Sequence, residues 1–331
     1  MKILALSEKD MREVFTMKDA IEADKDALRL YTEGQTNIPL RANISVPEHS
    51  GNSLYMYGYV APADALGVKL VSVYPKNVEK GIPSVPATMV LVNSETGEVC
   101  SLMNGTYLTA LRTGAVAGAA TDVLAREDSK IFALIGTGGQ AETQLEAVLA
   151  VRDIELVKVY SRNRERREAF VAKMNDLYAE KYGVKIVAAE SSDEAVADAD
   201  IISACTTANE AVFDADKIKK NAHINGVGSY TPDMAEIPEG VITSAAGIYV
   251  DTAEGVLAEA GELINPIKKG LVKEESCIEL GAVLAGKAEG RKSYDDLTFF
   301  DSVGCAVLDL VTAQRIYEKA VAKGMGQIIE L

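Results

Sequence analysis

The chain has 331 residues, of which 48% are hydrophobic, and this is enough apolar material to fill one large domain or two of ordinary size. Disorder of the whole chain is therefore excluded. The 34 Lys and Arg residues stand against 49 Asp and Glu residues, which gives a formal net charge of −15 at pH 7. A surface with this charge repels nucleic acids and anionic membranes, so we expect neither as a partner.

The cysteines, histidines and apolar runs limit the chemistry further. The four cysteines are widely spaced and form no C-x-x-C pair, which argues against a zinc site, a redox dithiol or a disulfide framework. With only His49 and His223, a metal site built from histidines is not expected either. The N-terminal apolar run is too short for a signal peptide, and no stretch reaches the ~20 apolar residues that a membrane span requires. A cytoplasmic protein without a metal fits these features.

The first part of the chain has the pattern of an α+β domain. A short strand near residues 2–6 precedes two helices, for which Ser7 and Thr16 are the predicted N-caps. Four segments rich in β-branched and aromatic residues then follow without helices between them, which predicts an antiparallel or mixed sheet. These segments are RANISV, SLYMYGYV, GVKLVSVY and ATMVLV. A long helix rich in Ala, Gly and Thr is predicted over 104–126.

From about residue 130, strands and helices alternate strictly. The strand segments are short continuous apolar runs, which are typical of parallel strands buried on both faces. We therefore predict an α/β chain, in which a Rossmann doubly wound parallel sheet is joined to a second α+β domain. A C-terminal helix over 304–323 is expected to complete the second domain. The predicted boundaries are 1–120 plus 312–331 for the α+β domain and 121–311 for the Rossmann domain.

The segment from Gly136 to Ala141 fits the pattern G-x-G-x-x-A. It lies between an apolar strand and a helix, at the first βα junction of the alternating region, and there the pattern indicates a dinucleotide site. Gly136 permits the tight turn, Gly138 lets the backbone approach the pyrophosphate, and Ala141 lets the helix pack closely on the strand. The helix N-terminus then faces the negative charge. The alternative is a tight strand-to-helix turn without a ligand.

The end of the next strand indicates which dinucleotide is preferred. NAD sites usually place Asp or Glu there, to accept a hydrogen bond from the ribose 2′-hydroxyl. This chain has Ser161 and Arg162 instead, and both are able to donate to a 2′-phosphate. NADP(H) is therefore the predicted cofactor, with NAD(H) as the alternative. Arg164 and Arg167 are expected on a solvated helix face.

Two cations lie on otherwise apolar faces. Arg112 shares a helical face with Leu108 and Ala115, and strand alternation places Lys69 on the same side as Val71. A buried cation is costly unless an anion meets it. Each residue therefore points either to a structural carboxylate or to a bound anionic ligand, and the sequence leaves both open.

Over nearly its whole length, the chain resembles the ornithine cyclodeaminase/μ-crystallin family, which includes ketimine reductases, pyrroline-carboxylate reductases and an alanine dehydrogenase. The segments that carry the resemblance are PLR (39–41), GVK (67–69), YPKN (74–77), LTALRT (108–113), the glycine-rich loop, INGVG (224–228) and SVG (302–304). The resemblance implies that the N-terminal domain binds the substrate and forms a homodimer, while the Rossmann domain binds the dinucleotide.

The resemblance also implies roles for individual residues. Arg41, Lys69 and Arg112 are expected to hold the α-carboxylate of a small amino or imino acid, with Lys69 close to the reacting nitrogen. To the dinucleotide contacts predicted above, Gly136, Gly138, Ala141, Ser161 and Arg162, the resemblance adds Thr88, Gly139, Gln140, Thr206, Val227 and Ser302. Without a ligand, Thr206 would simply end a strand and Val227 would belong to the core of the sheet.

One segment departs from the cyclodeaminases. Those enzymes carry G-D-C-P after the fifth Rossmann strand, where the Asp is the base that directs ring closure, whereas this chain has GSYTPD at 228–233. Tyr230 takes the place of the Asp, and a phenol with a pKa of about 10 is a poor base at neutral pH.

The expected activity is therefore NAD(P)H-dependent reduction of a small cyclic or linear 2-imino acid, or dehydrogenation of the matching amino acid, with Tyr230 at the substrate. One alternative is an ornithine cyclodeaminase, which uses NAD catalytically and releases ammonia as it forms proline. The other is a μ-crystallin-like protein that binds a ligand without turnover.

Overall fold

The computed structural model describes residues 1–331 and contains sixteen strands and twelve α-helices. The strands are β1 (Lys2–Leu6), β2 (Thr36–Asn37), β3 (Ala42–Val46), β4 (Gly51–Val60), β5 (Ala65–Val73), β6 (Ala87–Val92), β7 (Val99–Asn104), β8 (Ile131–Ile135), β9 (Leu156–Tyr160), β10 (Lys185–Ala188), β11 (Ile201–Ala204), β12 (His223–Gly226), β13 (Gly247–Val250), β14 (Cys277–Glu279), β15 (Thr298–Asp301) and β16 (Gln327–Glu330). The α-helices are α1 (Glu8–Val14), α2 (Met17–Thr32), α3 (Gly105–Leu124), α4 (Ala141–Val151), α5 (Arg164–Met174), α6 (Glu180–Tyr182), α7 (Ser192–Val196), α8 (Glu239–Ser244), α9 (Ala253–Glu259), α10 (Gly261–Lys268), α11 (Leu280–Leu284) and α12 (Ala306–Lys323). No helix combines the length and the apolar character that a membrane span needs.

The chain divides into two compact units, of which the first comprises Met1–Arg112 with Cys305–Leu331 and the second comprises Thr113–Gly304. Both boundaries lie earlier in the chain than the predicted positions after residues 120 and 311. The reason at the first boundary is that α3 changes its packing partner. Gly114 already lies against α4, where a Cβ atom would come within 2.5 Å of the Thr143 carbonyl oxygen. The composition of α3 is uniform along its length, so the sequence gives no sign of this change.

The first unit is built on one mixed sheet. Its strand order is β16-β1-β7-β6-β5-β4-β2, and β3 pairs with β4. The pairs are antiparallel except for β1 with β7, which is parallel. Helix α12 packs on β4, β5 and α2, so the C-terminal helix does complete this unit. Ser7 and Thr16 cap α1 and α2 as predicted, each in a capping box with the acidic residue three positions later.

The second unit is a doubly wound parallel sheet, as the alternation of strands and helices predicted. Its strand order is β10-β9-β8-β11-β12-β15-β13-β14, and every neighbouring pair is parallel. Successive residues point to opposite faces and enter two separate hydrophobic clusters. Phe132 and Leu134 belong to the cluster under α4, whereas Ala133 and Ile135 belong to the cluster under α7 and α8.

Candidate functional site

Lys69 lies in the middle of β5 in the first unit. Its side chain is fully buried, on the face of the sheet that α12 covers. The strand register places it between Met56 of β4 and Met89 of β6, which are also buried. An ammonium group therefore occupies a place in the sheet where both neighbouring strands present apolar side chains.

Asp309 of α12 meets both of the buried cations. Its Oδ1 atom accepts a hydrogen bond from Lys69 Nζ at 2.6 Å and another from Arg112 Nε at 2.9 Å. The exposed fractions are 0% for Lys69, 5% for Arg112 and 0% for Asp309. Of the two explanations that the sequence left open, a structural carboxylate is thus present. One anion does not balance two cations, however, so the group retains one formal positive charge.

Asp24 of α2 is a second buried carboxyl group beside this cluster. Its Oδ1 atom accepts a hydrogen bond from Thr312 Oγ1 at 3.0 Å. Burial raises the pKa of Asp24 well above its usual range, the Thr312 hydrogen bond and the charge of Arg112 oppose this shift, and the charge of Asp309 adds to it. Asp24 therefore favours its neutral form and leaves the excess positive charge in place.

The same surroundings act on the amine of Lys69. Its pKa is lowered to about 7, mainly by burial and then by the charge of Arg112, while Asp309 acts in the opposite direction. Arg41, which precedes β3 and is half-buried, also lowers the pKa. The three basic residues that the sequence singled out therefore form one electrostatic cluster, and its lysine exchanges a proton near neutral pH.

In the second unit, the glycine-rich turn joins β8 to α4. Gly136 has a φ of 110°, and its N–H donates to the Tyr160 carbonyl at 2.9 Å. A Cβ atom at Gly136 would lie 3.0 Å from the Cys205 carbonyl oxygen, so the turn requires glycine for both its backbone conformation and its space. At Gly138 and Gly139, by contrast, a Cβ atom would meet nothing within 4 Å. The space beside these two residues is open.

The start of α4, directly after the glycine-rich turn, is closely packed and contains one polar atom without a partner. Ala141 is fully buried at the first helical position, so no larger side chain fits there without displacing its neighbours. Gln140 precedes it, and its side chain makes no capping hydrogen bond to the helix. The Oε1 atom of Gln140 is buried and has no hydrogen-bond partner. A buried acceptor without a partner at this position calls for a donor from a ligand or from water.

The end of β9 presents Ser161, which is half-buried, and Arg162, which is exposed. Arg164 is also exposed and forms an ion pair within its own helix, as expected for a solvated face. Arg167 differs, and the prediction that it is solvated is wrong. Its guanidinium lies 5.6 Å from the ring centre of Tyr160, and Nη1 donates to the Ser161 carbonyl at 3.4 Å. The side chain folds back against the strand end because Tyr160 offers it an aromatic surface there.

One buried carboxylate joins the ends of β11 and β12. Glu236 accepts a hydrogen bond from the Thr206 N–H at 2.6 Å with one oxygen and from the Gly228 N–H at 2.7 Å with the other. Val227 is buried in the hydrophobic cluster under α4, so its side chain packs as part of the sheet core. Tyr230 is half-buried in the loop that follows β12. Glu236 thereby fixes the backbone of two segments that carry predicted dinucleotide contacts.

A second buried acidic residue holds the segment after β15 in place. Asp251, directly after β13, accepts a hydrogen bond from Ser302 Oγ at 2.6 Å and from the Gly304 N–H at 2.8 Å. Asp301 ends β15 and is fully buried, as is Glu262 of α10, which accepts a hydrogen bond from the Glu236 N–H at 3.0 Å. The ends of these parallel strands are therefore lined with buried acidic groups.

Thr88 is the predicted site residue that the structure places apart from the lysine. It lies in β6 and pairs with Leu70 in the neighbouring strand, whereas Lys69 pairs with Met89. Because successive strand residues face opposite ways, Thr88 lies on the sheet face opposite Lys69, where it is exposed. Its expected contact with the dinucleotide stays a prediction.

Reasoning from the sequence did not single out the acidic residues of either unit. Asp309 shares a buried helical stripe with Ala313 and Ile316, and Asp24 lies on the buried face of α2. The test that selected Lys69 and Arg112, a charge on an apolar face, would have found both. Glu236 lies in a loop, where no local signal marks it. Glu262 lies in the first turn of α10, on the buried side of that amphipathic helix with Leu263 and Pro266.

Comparison with known proteins gives a consistent result. Residues 1–324 match the model of the ornithine cyclodeaminase/mu-crystallin family. The chain is 38% identical over 329 residues to Delta(1)-pyrroline-2-carboxylate reductase of Bacillus cereus, which covers 99% of this chain and 100% of that relative. It is 41% identical, with a TM-score of 0.93, to Thermococcus litoralis Delta(1)-pyrroline-2-carboxylate reductase in complex with NADH and L-proline, over 98% of this chain and 99% of the other. An archaeal alanine dehydrogenase dimer with bound NAD matches 100% of both chains with a TM-score of 0.90 and 32% identity.

The buried acidic groups of the second unit should make stability depend on pH. Burial and the charge of Glu236 raise the pKa of Glu262 to about 8. A raised carboxyl pKa stabilises the folded state below the pKa of the unfolded chain, and this contribution is lost as the pH rises through the folded value. Relative to a Glu262→Gln variant, the wild type should therefore lose free energy of unfolding between about pH 5 and about pH 8.

Denaturant titrations at several pH values measure this difference. Glu254→Gln is the matched control, because Glu254 is exposed in α9 and its removal should leave the pH dependence unchanged. A gap between the wild type and Glu262→Gln that stays constant with pH would show that Glu262 does not titrate in this range.

Proposed function

The chain belongs to the ornithine cyclodeaminase/mu-crystallin family, and on this basis we propose that it is an NAD(P)H-dependent imine reductase acting on a small 2-imino acid. The observation that carries the proposal is the buried group of Lys69, Arg112 and Asp309, which retains one formal positive charge. A substrate α-carboxylate is the anion that would balance it. Pyrroline-2-carboxylate is the first substrate to consider, because two of the similar proteins are reductases of that compound. Linear imino acids, formed from a 2-oxo acid and an amine, are the second.

In this proposal the first unit binds and orients the substrate. Arg41 and Arg112 hold the carboxylate, and this fixes the imine carbon and nitrogen relative to Lys69. Lys69 then donates a proton to the nitrogen or hydrogen-bonds to it. A pKa of about 7 suits this role, because a general acid works best when its pKa lies near the working pH. Reduction yields the L-amino acid.

The second unit has features that fit a dinucleotide. The open space beside Gly138 and Gly139 leaves room for a pyrophosphate at the start of α4. The unpartnered Oε1 acceptor of Gln140 would take a hydrogen bond from a donor of the dinucleotide, such as a ribose hydroxyl, and not from the pyrophosphate, which only accepts. When bound, the dinucleotide supplies the hydride. The other contacts proposed in this unit are Gly136, Ala141, Ser161, Arg162, Thr206, Val227 and Ser302, and Thr88 is the contact proposed from the first unit. Glu236 and Asp251 hold the backbone of Thr206 and the hydroxyl of Ser302 in place for this purpose.

An ornithine cyclodeaminase is the second candidate, since the family includes that activity. Its ring closure needs a carboxylate base where this chain has Tyr230, and a phenol does not replace it at neutral pH. A μ-crystallin-like binding protein is the third candidate. A lysine whose pKa lies near neutrality favours turnover over simple binding.

A substrate panel separates these candidates. NADPH and NADH absorbance and ammonia are followed in parallel with pyrroline-2-carboxylate, with pyruvate plus methylamine or ammonia, and with ornithine. We expect consumption of reduced dinucleotide with at least one imine. Lys69→Met should lower kcat/KM by about 10²–10⁴, whereas Lys185→Met, at an exposed strand lysine, should not. Ammonia release from ornithine without net dinucleotide consumption would support the cyclodeaminase instead, and binding without turnover of any compound would support the binding protein.

We further propose that the site prefers NADP(H), with Arg162 as the residue that recognises the 2′-phosphate. The support is the exposed guanidinium at the end of β9 and the lack of a carboxylate among residues 160–164. Two of the similar structures hold NADH or NAD, so NAD(H) is the competing assignment.

Arg162→Ala should raise KM for NADPH about tenfold and leave KM for NADH nearly unchanged, because a charge-assisted hydrogen bond contributes on the order of 1.5 kcal/mol. Steady-state kinetics with both dinucleotides measure the ratio. Arg164→Ala is the matched control, since Arg164 is exposed two residues later and pairs within its helix. Equal losses for the two dinucleotides in Arg162→Ala would remove the preference.

We also propose a homodimer formed through the first unit. The face of its sheet opposite Lys69 carries the exposed apolar residues Ile44, Tyr57 and Leu70, with exposed fractions of 54%, 41% and 40%. A contiguous apolar face of this kind marks an interaction site in a folded protein. The similar archaeal alanine dehydrogenase is a dimer.

Leu70→Glu should convert the dimer to a monomer, because it places a charge in the middle of this face. Sedimentation equilibrium gives the mass in solution. Leu271→Glu, at an exposed leucine of the second unit, is the matched control and should remain dimeric. A monomeric wild type, or a Leu70→Glu variant that stays dimeric, would contradict this interface.

A cytoplasmic location is part of the same proposal. All four cysteines are free thiols in the structure. Free thiols persist in a reducing compartment, and a metabolic reductase finds reduced dinucleotide there.

A further inference from the structure

We propose that Asp309 is a positioning residue, which keeps the Lys69 ammonium charged and oriented so that it delivers its proton to the imine nitrogen. This inference rests on the proposed reductase function and assigns a role to a residue of α12. Asp309 itself need not touch the substrate. Its role is to make Lys69 a proton donor in a place where burial alone would leave the lysine neutral.

The two carboxylate oxygens of Asp309 differ in their hydrogen bonds. Asp309 uses one oxygen, Oδ1, to accept from both Lys69 Nζ and Arg112 Nε. Its other oxygen, Oδ2, is buried and has no hydrogen-bond partner. Asp309 also supplies the hydrogen bond that the structure gives to the Lys69 ammonium, which has three N–H donors. Two N–H groups of Lys69 therefore remain for the substrate.

The surrounding charges show why the carboxylate matters. Arg112 from α3 and Arg41 before β3 both disfavour a positive charge on Lys69. Asp24 from α2 favours its neutral form, and Arg315 from α12 acts on Asp24 as a further positive charge. Asp309 is thus the nearby group that favours the ammonium form. Without it, a fully buried amine beside two guanidinium groups would lose its proton at neutral pH.

The proton and the hydride reach different atoms of the imine. The imine nitrogen takes a proton from Lys69 Nζ, and the hydride of the reduced dinucleotide adds to the imine carbon as the C=N π bond breaks. The product is an amine, the dinucleotide is oxidised, and Lys69 is left neutral until solvent returns a proton. Asp309 takes no part in these bond changes, and its hydrogen bond to Lys69 Nζ favours the return of the ammonium form.

The test compares pH profiles of kcat/KM for the reductive reaction in the wild type and in Asp309→Asn. Activity that needs protonated Lys69 falls as the pH rises through the pKa of that residue in the free enzyme. Loss of the carboxylate should move this fall to lower pH. If the pKa falls by one unit from about 7, the rate of Asp309→Asn should decrease about fivefold more than that of the wild type between about pH 6 and about pH 8, because the protonated fraction then falls about fiftyfold instead of about tenfold. The same substrate serves for both proteins, so its own titration cancels.

Two further variants distinguish this role from a structural one. Asp309→Glu keeps the charge and should retain the wild-type position of the fall, even if kcat is lower. Asp24→Asn alters a carboxyl group of the same buried cluster that does not bond to Lys69, and it too should leave the profile in place. A profile that keeps its position in Asp309→Asn while activity drops equally at every pH would overturn the proposal. So would a shift of the same size in Asp309→Glu or Asp24→Asn.

A measurement without turnover separates failure of this inference from failure of the proposed function. In protein labelled with ¹⁵N-lysine, the Nζ resonance of Lys69 is identified by its absence in Lys69→Met, and its titration is followed directly. We expect Lys69 to titrate at lower pH in Asp309→Asn than in the wild type, whatever the substrate is. Unchanged titration would overturn the role of Asp309, whereas a shifted titration in an enzyme that reduces no imine would leave that role and remove the reductase assignment.

Discussion

The first unit depends on one buried charge cluster. In it, the Asp309 carboxylate of α12 meets both Lys69 of β5 and Arg112 of α3. Removing charges from water is costly, and their mutual attraction repays that cost only when the geometry and the remaining hydrogen bonds are good. Here one oxygen serves both cations and the other serves none, so the arrangement is incomplete within the protein. A buried charge cluster that lowers the pKa of its lysine to about 7 marks a candidate functional site.

The second unit is organised by buried acidic side chains at its strand ends. Glu236 and Asp251 accept hydrogen bonds from backbone and hydroxyl groups at the ends of parallel strands, and Glu262 and Asp301 are buried close to them. Burial raises the pKa of Glu236 to about 7, even though its backbone hydrogen bonds oppose the shift. Strand ends held in this way form a rigid edge, and in doubly wound sheets that edge is where ligands bind.

Family membership indicates the fold and the type of reaction, whereas the substrate depends on details of the site. The similar proteins include reductases of a cyclic imine and an alanine dehydrogenase, so they share a fold and a type of chemistry while their substrates differ. Within that range of substrates, the proposals for this chain depend on short segments of its sequence. The proposals on substrate and dinucleotide rest on two such segments, the loop after β12 with Tyr230 and the end of β9 with Arg162.

Local patterns of periodicity or spacing were enough to predict the doubly wound sheet, the glycine-rich turn, the N-caps Ser7 and Thr16 and the two anomalous cations. The anion that meets those cations could not be predicted in this way, because residues 69, 112 and 309 are brought together by packing and no local pattern links them. The same holds for the switch of partners along α3, for the buried position of Arg167 and for Glu236, whose two hydrogen bonds span neighbouring strands. Burial and charge pairing arise from contacts distant along the chain, and these contacts exist only once the sheets have formed.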